Sequence, residues 1–302
     1  MNNKIIVICG PTASGKTGLA IELAKVLNGE IISADSMQIY KELNIGTAKP
    51  SAAEMQDVPH FLIDILSVDL SSSFNVSKYV KLAGECVQDI LKRGKQPIIC
   101  GGTGLYIDSF INNTRFAEYE NDLEYRQWLE HFSGVELHEK LVEIDPASAG
   151  RIHANNKKRI IRALEIYKIT GRTKSELDRD SRLAGSDYNF IKIGLRYNNR
   201  DLLYERINKR VDIMLEAGLV SEVKSLFEYK DNIKRIGAIG YAEIFDYLDG
   251  VCELEEAVQK IKQNTRHYAK RQITWFKRDE NTRWLDTDGQ DLSKNIKCLK
   301  NI

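Results

Sequence analysis

The sequence is poor in proline and cysteine, with five of each in 302 residues. The cysteines form no CxxC pair, so the pattern does not predict a zinc site; they are Cys9, Cys86, Cys100, Cys252 and Cys298. An odd number of scattered thiols is typical of a reducing compartment, and we expect the chain to be cytoplasmic. The hydrophobic fraction of 42% excludes disorder on a large scale.

Long apolar runs are also missing. No stretch reaches the roughly 20 apolar residues that a membrane span requires, and the N-terminal apolar run is too short for a signal peptide. We therefore expect no membrane partner. The formal net charge is only +1, so whole-protein charge does not indicate an anionic partner, although local charge still can.

Strand and helix patterns alternate through the first third of the chain. Apolar runs predict strands over Ile5–Cys9, Glu30–Ser33 and Pro97–Cys100. Amphipathic patterns predict helices over Lys16–Leu27 and Val76–Arg93. This βαβ rhythm predicts a parallel sheet with helices on both faces.

The rhythm changes after about Asn112. Residues 113–186 are polar, charged and helical in pattern, and we interpret them as an inserted helical subdomain that binds RNA. A strand pattern returns near Ile191 and is expected to rejoin the sheet. Further helices are predicted over Arg200–Ala217, Val220–Tyr229, Tyr241–Leu248 and Glu253–Phe276. The predicted fold is therefore α/β, with a core of residues 1–112 and 187–302 that includes the C-terminal helices.

A phosphate-binding loop joins the first predicted strand to the first predicted helix. It matches the pattern GxxxxGK[ST] and consists of Gly10, Pro11, Thr12, Ala13, Ser14, Gly15, Lys16 and Thr17. Glycines let the backbone turn so that successive N–H groups point at phosphate oxygens, and the helix adds its positive N-terminal end. Lys16 can reach the outer phosphate, and Thr17 can ligate Mg²⁺. The motif makes the sheet P-loop NTPase-like, but it does not say whose phosphates are bound.

Two polar residues follow other predicted strands. Asp35 comes after the second strand, and Thr103 follows a pair of glycines after the third. The carboxyl ends of parallel strands meet at one edge of a sheet, so Lys16, Asp35 and Thr103 are expected to converge. A carboxylate at such a site would hold Mg²⁺ or act as a base. Structural alternatives stay open, since Asp35 could be a turn or helix-cap residue and Thr103 part of a plain turn.

Two stretches are basic without nearby acidic residues. The first comprises Arg151, His153, Lys157, Lys158, Arg159 and Arg162. The second comprises Lys260, Lys262, Arg266, His267, Lys270, Arg271, Lys277 and Arg278, with Tyr268, Trp275 and Phe276 interleaved. Basic charge neutralises phosphates and aromatic rings stack on unpaired bases, so both stretches favour a nucleic-acid partner. Each could instead be a solvated helix face, and the aromatic residues could belong to the core.

Six segments together resemble the tRNA dimethylallyltransferase family, bacterial type. They are GPTASGKT (10–17), DSMQIYKELNIGTAKP (35–50), GGTGLYI (101–107), RIHANNKKRIIRALEIYKITGRT (151–173), LYERINKRVDIMLEAGLVSEV (203–223) and TRHYAKRQITWFKRD (265–279). The segments run in family order across nearly the whole chain. The resemblance implies a prenyltransferase that moves the dimethylallyl group of dimethylallyl diphosphate to a tRNA. The acceptor would be the exocyclic amine of the adenosine 3′-adjacent to the anticodon, and diphosphate would leave with Mg²⁺ assisting.

The resemblance also implies roles for individual residues. Asp35 matches the general base, Thr103 the residue beside the reacting centre, and Arg210 an arginine that binds the donor diphosphate alongside Lys16. Asp35, Ser36, Met37 and Gln38 match the segment that touches the target base, as Thr103 does. The other positions that match tRNA contacts are Arg126, Lys158, Arg159, Ile160, Ile161, Arg162, Gly237, Ala238, Ile239, Gly240, Tyr241, Ala242, Lys270, Arg271, Gln272, Ile273, Thr274, Trp275, Phe276 and Lys277. The expected partners are the anticodon stem-loop and the donor, and we expect a monomer.

Some features of the sequence leave alternatives open. Phe61, Asn156 and Gly237 stand where many members of the family carry other residues. Arg206 lies one helical turn before Arg210 and could support the same anion or pair with an acid. A small-molecule kinase would share the P-loop, Mg²⁺ and a nearby aspartate, but it would turn over ATP. A nucleotide-gated RNA-binding protein would keep the basic faces without needing a base at position 35.

Overall fold

The described residues contain a six-stranded parallel sheet. The structure is a computed structural model that describes residues 3–69, 74–114, 122–183 and 186–288. The strands are β1 Lys4–Cys9, β2 Gly29–Ser33, β3 His60–Phe61, β4 Gln96–Gly101, β5 Asn189–Arg196 and β6 Arg283–Asp286. Their order across the sheet is β3-β2-β4-β1-β5-β6, and every neighbouring pair is parallel. The predicted α/β class and parallel sheet are therefore confirmed.

The chain divides into two compact units. One comprises Met1–Ile111 and Asp187–Ile302, and the other comprises Asn112–Ser186. The helices of the first unit are α1 Lys16–Leu27, α2 Ala52–Met55, α3 Val76–Lys92, α4 Gly104–Ile111, α10 Arg200–Glu216, α11 Leu219–Ser225, α12 Lys230–Ile236, α13 Tyr241–Leu248 and α14 Leu254–Phe276. Those of the second are α5 Leu123–Glu130, α6 Gly134–Ile144, α7 Pro146–Ala149, α8 Lys157–Thr170 and α9 Lys174–Leu183. Within the described chain, no helix combines the length and apolar character needed to cross a membrane.

Alternate side chains of β1 pack on opposite faces of the sheet. Ile6 and Ile8 are buried with the apolar side of α1. Ile5, Val7 and Cys9 are buried with α3 and α4. Because successive side chains of a strand point to opposite faces, an apolar run of this kind requires cover on both sides. The predicted arrangement of helices on both faces is confirmed.

A separate core holds the C-terminal helices together. Apolar side chains of α10 to α14 pack around the buried Tyr241 and Phe245 of α13. Residues 39–45, which follow β2, contribute Ile39, Tyr40 and Leu43 to the same core. The loop after β2 is therefore fixed against the helical region rather than left free above the sheet.

The bounds of several elements differ from those predicted. Two edge strands, β3 and β6, were not predicted, because one has only two residues and the other is a polar four-residue segment. The single helix predicted over Val220–Tyr229 is wrong. In its place, α11 ends at Ser225 and a 3₁₀ turn covers Phe227–Tyr229.

The second unit has its own apolar core in the residues described. Leu129, Leu137, Leu141 and Leu164 are fully or almost fully buried where α5, α6 and α8 pack together. Its described elements are all helical, and the unit spans residues 112–186 where the inserted subdomain was predicted over 113–186. A role of this unit in RNA binding stays a prediction.

A buried carboxylate at the start of β2 supports the sheet edge far from the P-loop. Glu30 is 1% exposed and accepts hydrogen bonds from Arg93 and Lys95, each at 2.6 Å. The hydrogen bond from Arg93 holds the pKa of Glu30 below its ordinary value, with Lys95 adding to it, despite the opposing effect of burial. Because its pKa is lowered on folding, Glu30 stabilises the protein above its unfolded pKa.

We predict that Glu30→Gln lowers the free energy of unfolding near pH 7 by about 1.5–3 kcal/mol, the range for hydrogen bonds to charged groups. The difference should shrink as pH falls through the folded-state pKa of Glu30, because the wild type then loses the same interaction. Urea unfolding of both proteins at neutral and acid pH measures this. Equal stability at neutral pH would contradict the prediction.

Candidate active site

The loop between β1 and α1 has the backbone of an anion-binding site. Gly10, Ala13 and Gly15 have φ angles of +147°, +62° and +88°, which let successive amides turn inward. A Cβ atom on Gly10 would lie 2.7 Å from the carbonyl oxygen of Leu195, so β5 leaves room only for glycine there. No side chain caps the start of α1, so its first amides are available to an anion.

Lys16 lies over this loop. Its Nζ donates to the carbonyl oxygen of Pro11 at 2.6 Å. Burial lowers the pKa of Lys16 to about 8, and the positive charge of Arg210 acts in the same direction. The carboxylate of Asp35 acts in the opposite direction. The lysine therefore lacks a strong counter-charge, and an anionic ligand would supply one.

Asp35 and Thr103 are brought together by the ends of β2 and β4. The N–H of Thr103 donates to the carbonyl of Ala34 at 3.0 Å, and the N–H of Ser36 donates to Oγ1 of Thr103 at 3.0 Å. Asp35 is half-buried, and its Oδ1 accepts the N–H of Met37 at 2.9 Å. Asp35 is thus in part a turn residue, as the structural alternative required, because one carboxylate oxygen stabilises the turn. The other oxygen accepts no hydrogen bond from the described residues.

Lys16, Asp35 and Arg210 form a single electrostatic cluster. Burial lowers the pKa of Arg210, and the Asp35 carboxylate is the first group that opposes the shift. The same carboxylate acts on Lys16. Two cations and one carboxylate at a partly desolvated sheet edge can stabilise a leaving anion and accept a proton.

Arg210 contacts the main chain of the loop after β2. Nη2 of Arg210 lies 3.5 Å from the carbonyl of Thr47, and Nε2 of Gln38 lies 3.4 Å from the same oxygen. The preceding turn is fixed by Glu222, whose carboxylate accepts the N–H groups of Ile45 at 2.9 Å and Gly46 at 3.2 Å. Sequence reasoning missed Glu222, because a lone glutamate on a helix gives no signal of such contacts.

The segment Gly237–Ala242, predicted to contact tRNA, packs against the turn that contains Ile45 and Gly46. Tyr241 is fully buried, donates its hydroxyl to Glu222, and fills the space beside Gly46, where a Cβ would lie 2.4 Å from the ring. Gly237 ends α12 and Gly240 precedes α13, both with positive φ. Ala238 is also buried, whereas Gly237 is exposed and Ile239 and Ala242 are half-buried. A direct RNA contact by Tyr241 or Ala238 would need movement or main-chain atoms.

The C-terminal half of α14 has two different faces. The predicted tRNA contacts Lys270, Arg271, Thr274 and Lys277 are exposed, and Ile273 and Trp275 are half-buried. Phe276 is fully buried in the core beside the sheet, as the core alternative required. Gln272 is buried and hydrogen-bonds to the P-loop.

Tyr268 lies one turn before Gln272 and lines the candidate site. Burial raises the pKa of its hydroxyl, as does the Asp35 carboxylate, and the hydroxyl has hydrogen-bonding interactions with Thr103 and Gln272. Arg206, whose role was open, donates from Nε to the carbonyl of Ala13 at 3.0 Å and so contacts the P-loop itself.

In the second unit, two predicted tRNA contacts surround a buried acid. Arg126 and Arg162 each donate to Oε2 of Glu165 at 2.6 Å, and Glu165 is 0% exposed. Lys158 and Arg159 are exposed at the first turn of α8. Ile160 and Ile161 are buried in the core of the unit, so their side chains support the helix.

The chemistry of the P-loop fits Mg²⁺ carried by a ligand rather than held by the protein alone. Among the described residues, no group of three or more His, Cys, Asp or Glu could hold a metal. Thr17 is exposed on the first turn of α1, where its hydroxyl could serve as one oxygen ligand. The buried hydroxyl of Ser14, in the same loop, has no hydrogen-bond partner within the described chain. Mg²⁺ usually keeps several waters and takes other ligands from substrate phosphates, so this sparse set is sufficient.

A parallel sheet whose first strand leads through this loop into a helix defines an α/β protein of the P-loop NTPase-like class. The particular family follows from comparison with known proteins. The model of the family described as IPP transferase matches residues 38–279. The chain belongs to this IPP transferase family.

Individual relatives align with nearly the whole chain. A tRNA dimethylallyltransferase from Acetivibrio thermocellus is 49% identical and covers 99% of this chain and 96% of its own length. A solved tRNA isopentenylpyrophosphate transferase from Bacillus halodurans has a TM-score of 0.73 at 44% identity, covering 99% of this chain and 95% of that one. A eukaryotic dimethylallyltransferase, solved acting on tRNA, has a TM-score of 0.82 at 31% identity, covering 96% and 75%.

We predict that binding of inorganic diphosphate takes up a proton through Lys16. Because the pKa of Lys16 is lowered to about 8, the free lysine is partly neutral at that pH, whereas a bound anion favours the charged form. Affinity should therefore fall as pH rises through about 8, with uptake of about half a proton near that pH. Calorimetry in buffers of different ionisation enthalpy measures the uptake.

Lys16→Met is the control for this experiment, because diphosphate itself also titrates. The variant keeps a side chain of similar length but cannot take up a proton. The wild type should show more uptake than the variant. Identical uptake in the two proteins would contradict the prediction, because Lys16 would then not change its protonation state on binding.

Proposed function

We propose that the chain transfers a dimethylallyl group from dimethylallyl diphosphate to the exocyclic amine of the tRNA adenosine 3′-adjacent to the anticodon. The observation that carries the proposal is the electrostatic cluster of Lys16, Asp35 and Arg210 beside an uncapped P-loop helix. The cations Lys16 and Arg210 suit a leaving diphosphate, and the Asp35 carboxylate suits an amine that must lose a proton. Membership of the IPP transferase family supports both assignments.

The donor side acts on the leaving group. The bond between the allylic carbon and the diphosphate oxygen breaks, and its electron pair stays on the diphosphate. The P-loop amides, Lys16 and Arg210 stabilise the negative charge that develops on that oxygen. Mg²⁺, held by Thr17 and the diphosphate, would supply further charge neutralisation.

The acceptor side acts on the adenine amine, which is a weak nucleophile because its lone pair is delocalised into the ring. As the new carbon–nitrogen bond forms, the amine proton passes to the Asp35 carboxylate. The turn held by Met37 N–H keeps one carboxylate oxygen in place and leaves the other to accept that proton. Thr103 accepts a hydrogen bond from the N–H of Ser36. It lies beside the Asp35 carboxylate and can orient the adenine.

The tRNA approaches through the basic helices. The first turn of α8 combines Lys157, Lys158 and Arg159 with an N-cap, Asn156, that makes no side-chain capping bond. Cations at the positive end of a helix destabilise it, so this arrangement favours binding of phosphate over helix stability. The exposed face of α14 adds Lys270, Arg271 and Lys277. A stacked anticodon loop hides its bases, so the target adenine must be flipped out to reach Asp35.

We also propose that the chain acts as a monomer on the anticodon stem-loop, in the cytoplasm where tRNA is modified. The P-loop in this proposal holds the diphosphate of the donor and does not hydrolyse ATP. All of the proposed catalytic residues come from a single copy of the first unit, which supports a monomeric site.

We predict that the protein transfers labelled dimethylallyl to unmodified tRNA with Mg²⁺ present, and that Asp35→Asn lowers kcat by about 10²-fold or more, the scale of general-base loss. Asparagine keeps the size and the acceptor for Met37. It also removes a negative charge near the phosphate site, so the affinity for inorganic diphosphate should stay the same or increase. Transfer is measured by mass analysis of tRNA nucleosides.

Asp231→Asn is the matched control, since Asp231 is exposed on α12 and is not among the residues assigned to the site. It should leave transfer unchanged. ATP-dependent phosphorylation of a metabolite without transfer would replace the proposal by a kinase function. Full transfer activity in Asp35→Asn would remove Asp35 as the base.

We predict that Lys158→Ala combined with Arg159→Ala flattens the salt dependence of tRNA affinity, by about 0.7–0.9 in slope for each phosphate that the variant no longer neutralises. Both side chains are exposed at the start of α8. Lys81→Ala combined with Lys92→Ala, on exposed positions of α3, is the control of equal charge change. Binding titrations over a range of salt concentrations give the slopes. Equal slopes for the two double variants would mean that the α8 residues do not meet phosphates.

A further inference from the structure

Gln272 joins two loops at the carboxyl edge of the sheet. Its Oε1 accepts the N–H of Thr12, within the P-loop, at 2.8 Å. Its Nε2 donates to the carbonyl of Gly102 at 3.0 Å, and the side chain is 5% exposed. A single amide on α14 therefore contacts both the loop after β1 and the loop after β4.

The loop after β4 is shaped to admit α14. A Cβ atom on Gly102 would lie 2.2 Å from Nε2 of Gln272, and one on Gly104 would lie 2.3 Å from the ring of Trp275. Gly104 leaves room for the Trp275 ring, and a Cβ atom on Gly102 would displace the Gln272 amide from its present position. Thr103 stands between them, so the contacts of α14 on either side bear on its position.

Tyr268 extends the same contact by one helical turn. Residues four apart share a helix face, and both Tyr268 and Gln272 point towards the sheet edge. The Tyr268 hydroxyl interacts with Thr103 and with Gln272. Lys270, Arg271 and Thr274 are exposed on the other side of the helix. The inward face of α14 thus contacts the P-loop and Thr103, while its outward face is exposed and can meet solvent or RNA.

An uncharged amide suits both partners of Gln272. A leucine or methionine would leave a buried N–H and a buried carbonyl without partners. A carboxylate could accept from Thr12, but it would repel the Gly102 carbonyl and an adjacent diphosphate. Only a group that accepts on one side and donates on the other satisfies this site.

We propose that Gln272 is a positioning residue of the donor site, which fixes the P-loop backbone at Thr12 relative to the loop after β4 and holds Thr103 in place, and that it does not contact RNA. The inference rests on the proposed function for the identity of the donor. It differs from the role in tRNA contact that the family resemblance assigns to this position. Its tests therefore separate binding of diphosphate from binding of tRNA.

The central test is the pH dependence of Gln272→Glu. Near pH 8 the introduced carboxyl is charged, and we expect the Kd for inorganic diphosphate to rise about tenfold or more relative to wild type. Burial raises the pKa of a carboxyl, so the group becomes protonated at mildly acid pH. It can then donate to Gly102 while accepting from Thr12, and the ratio of variant to wild-type Kd should fall. A merely structural defect would not recover in this way.

Two further variants keep the test interpretable. Gln263→Glu makes the same change on an exposed position of α14 and should leave the ratio near one at every pH. Gln272→Met removes both hydrogen bonds without adding charge, so it should weaken diphosphate binding at all pH values. Melting temperatures show whether each variant folds. If Gln272→Glu does not fold, the diphosphate affinity of Gln272→Met tests the proposal.

Steady-state kinetics supply the second readout. Gln272→Met should raise KM for dimethylallyl diphosphate about tenfold and change KM for tRNA less than about twofold. A raised KM for tRNA with an unchanged diphosphate Kd would overturn the proposal and return Gln272 to RNA contact. A ratio for Gln272→Glu that is flat with pH would also overturn it. If the wild type binds diphosphate but transfers nothing, the proposed function fails while the binding test of Gln272 still stands.

Discussion

The close backbone approach between Gly101 and Ala34 is the constraint on which the site depends. A Cβ atom on Gly101 would lie 2.2 Å from the Ala34 carbonyl oxygen, so β4 can come this near to the end of β2 only at a glycine. The contact places Thr103 against Ser36, and the nearby Asp35 carboxylate acts electrostatically on the P-loop lysine. A shift of either strand end by one residue would move Asp35 away from the P-loop.

The cations of the site are held without being neutralised. Lys16 donates to a carbonyl, Arg210 lies near another carbonyl, and the carboxylate that acts on both is only half-buried. At the other end of β2, by contrast, Arg93 and Lys95 are paired with the buried carboxylate of Glu30. This contrast separates the site from ordinary ion pairs: its excess positive charge suits an anionic leaving group.

Much of the fold could be predicted because its elements carry strong local patterns. The sheet core follows from apolar runs such as Ile5–Cys9, and α1 and α13 have the predicted bounds. The short edge strand β3 has no such pattern, because its pairing with β2 depends on tertiary contacts. Within the site, Lys16 was evident from its motif. The contacts of Glu222 were not, because residues far apart in sequence meet there only after α11 has packed.

The proposed mechanism depends most directly on where diphosphate and adenine bind relative to Asp35. A crystal structure of the protein with inorganic diphosphate and a tRNA anticodon stem-loop measures this. We predict diphosphate oxygens on the P-loop amides and Lys16, and a flipped adenine whose exocyclic nitrogen lies within hydrogen-bonding distance of the Asp35 carboxylate. An adenine bound away from Asp35, or diphosphate bound outside the P-loop, would contradict the account.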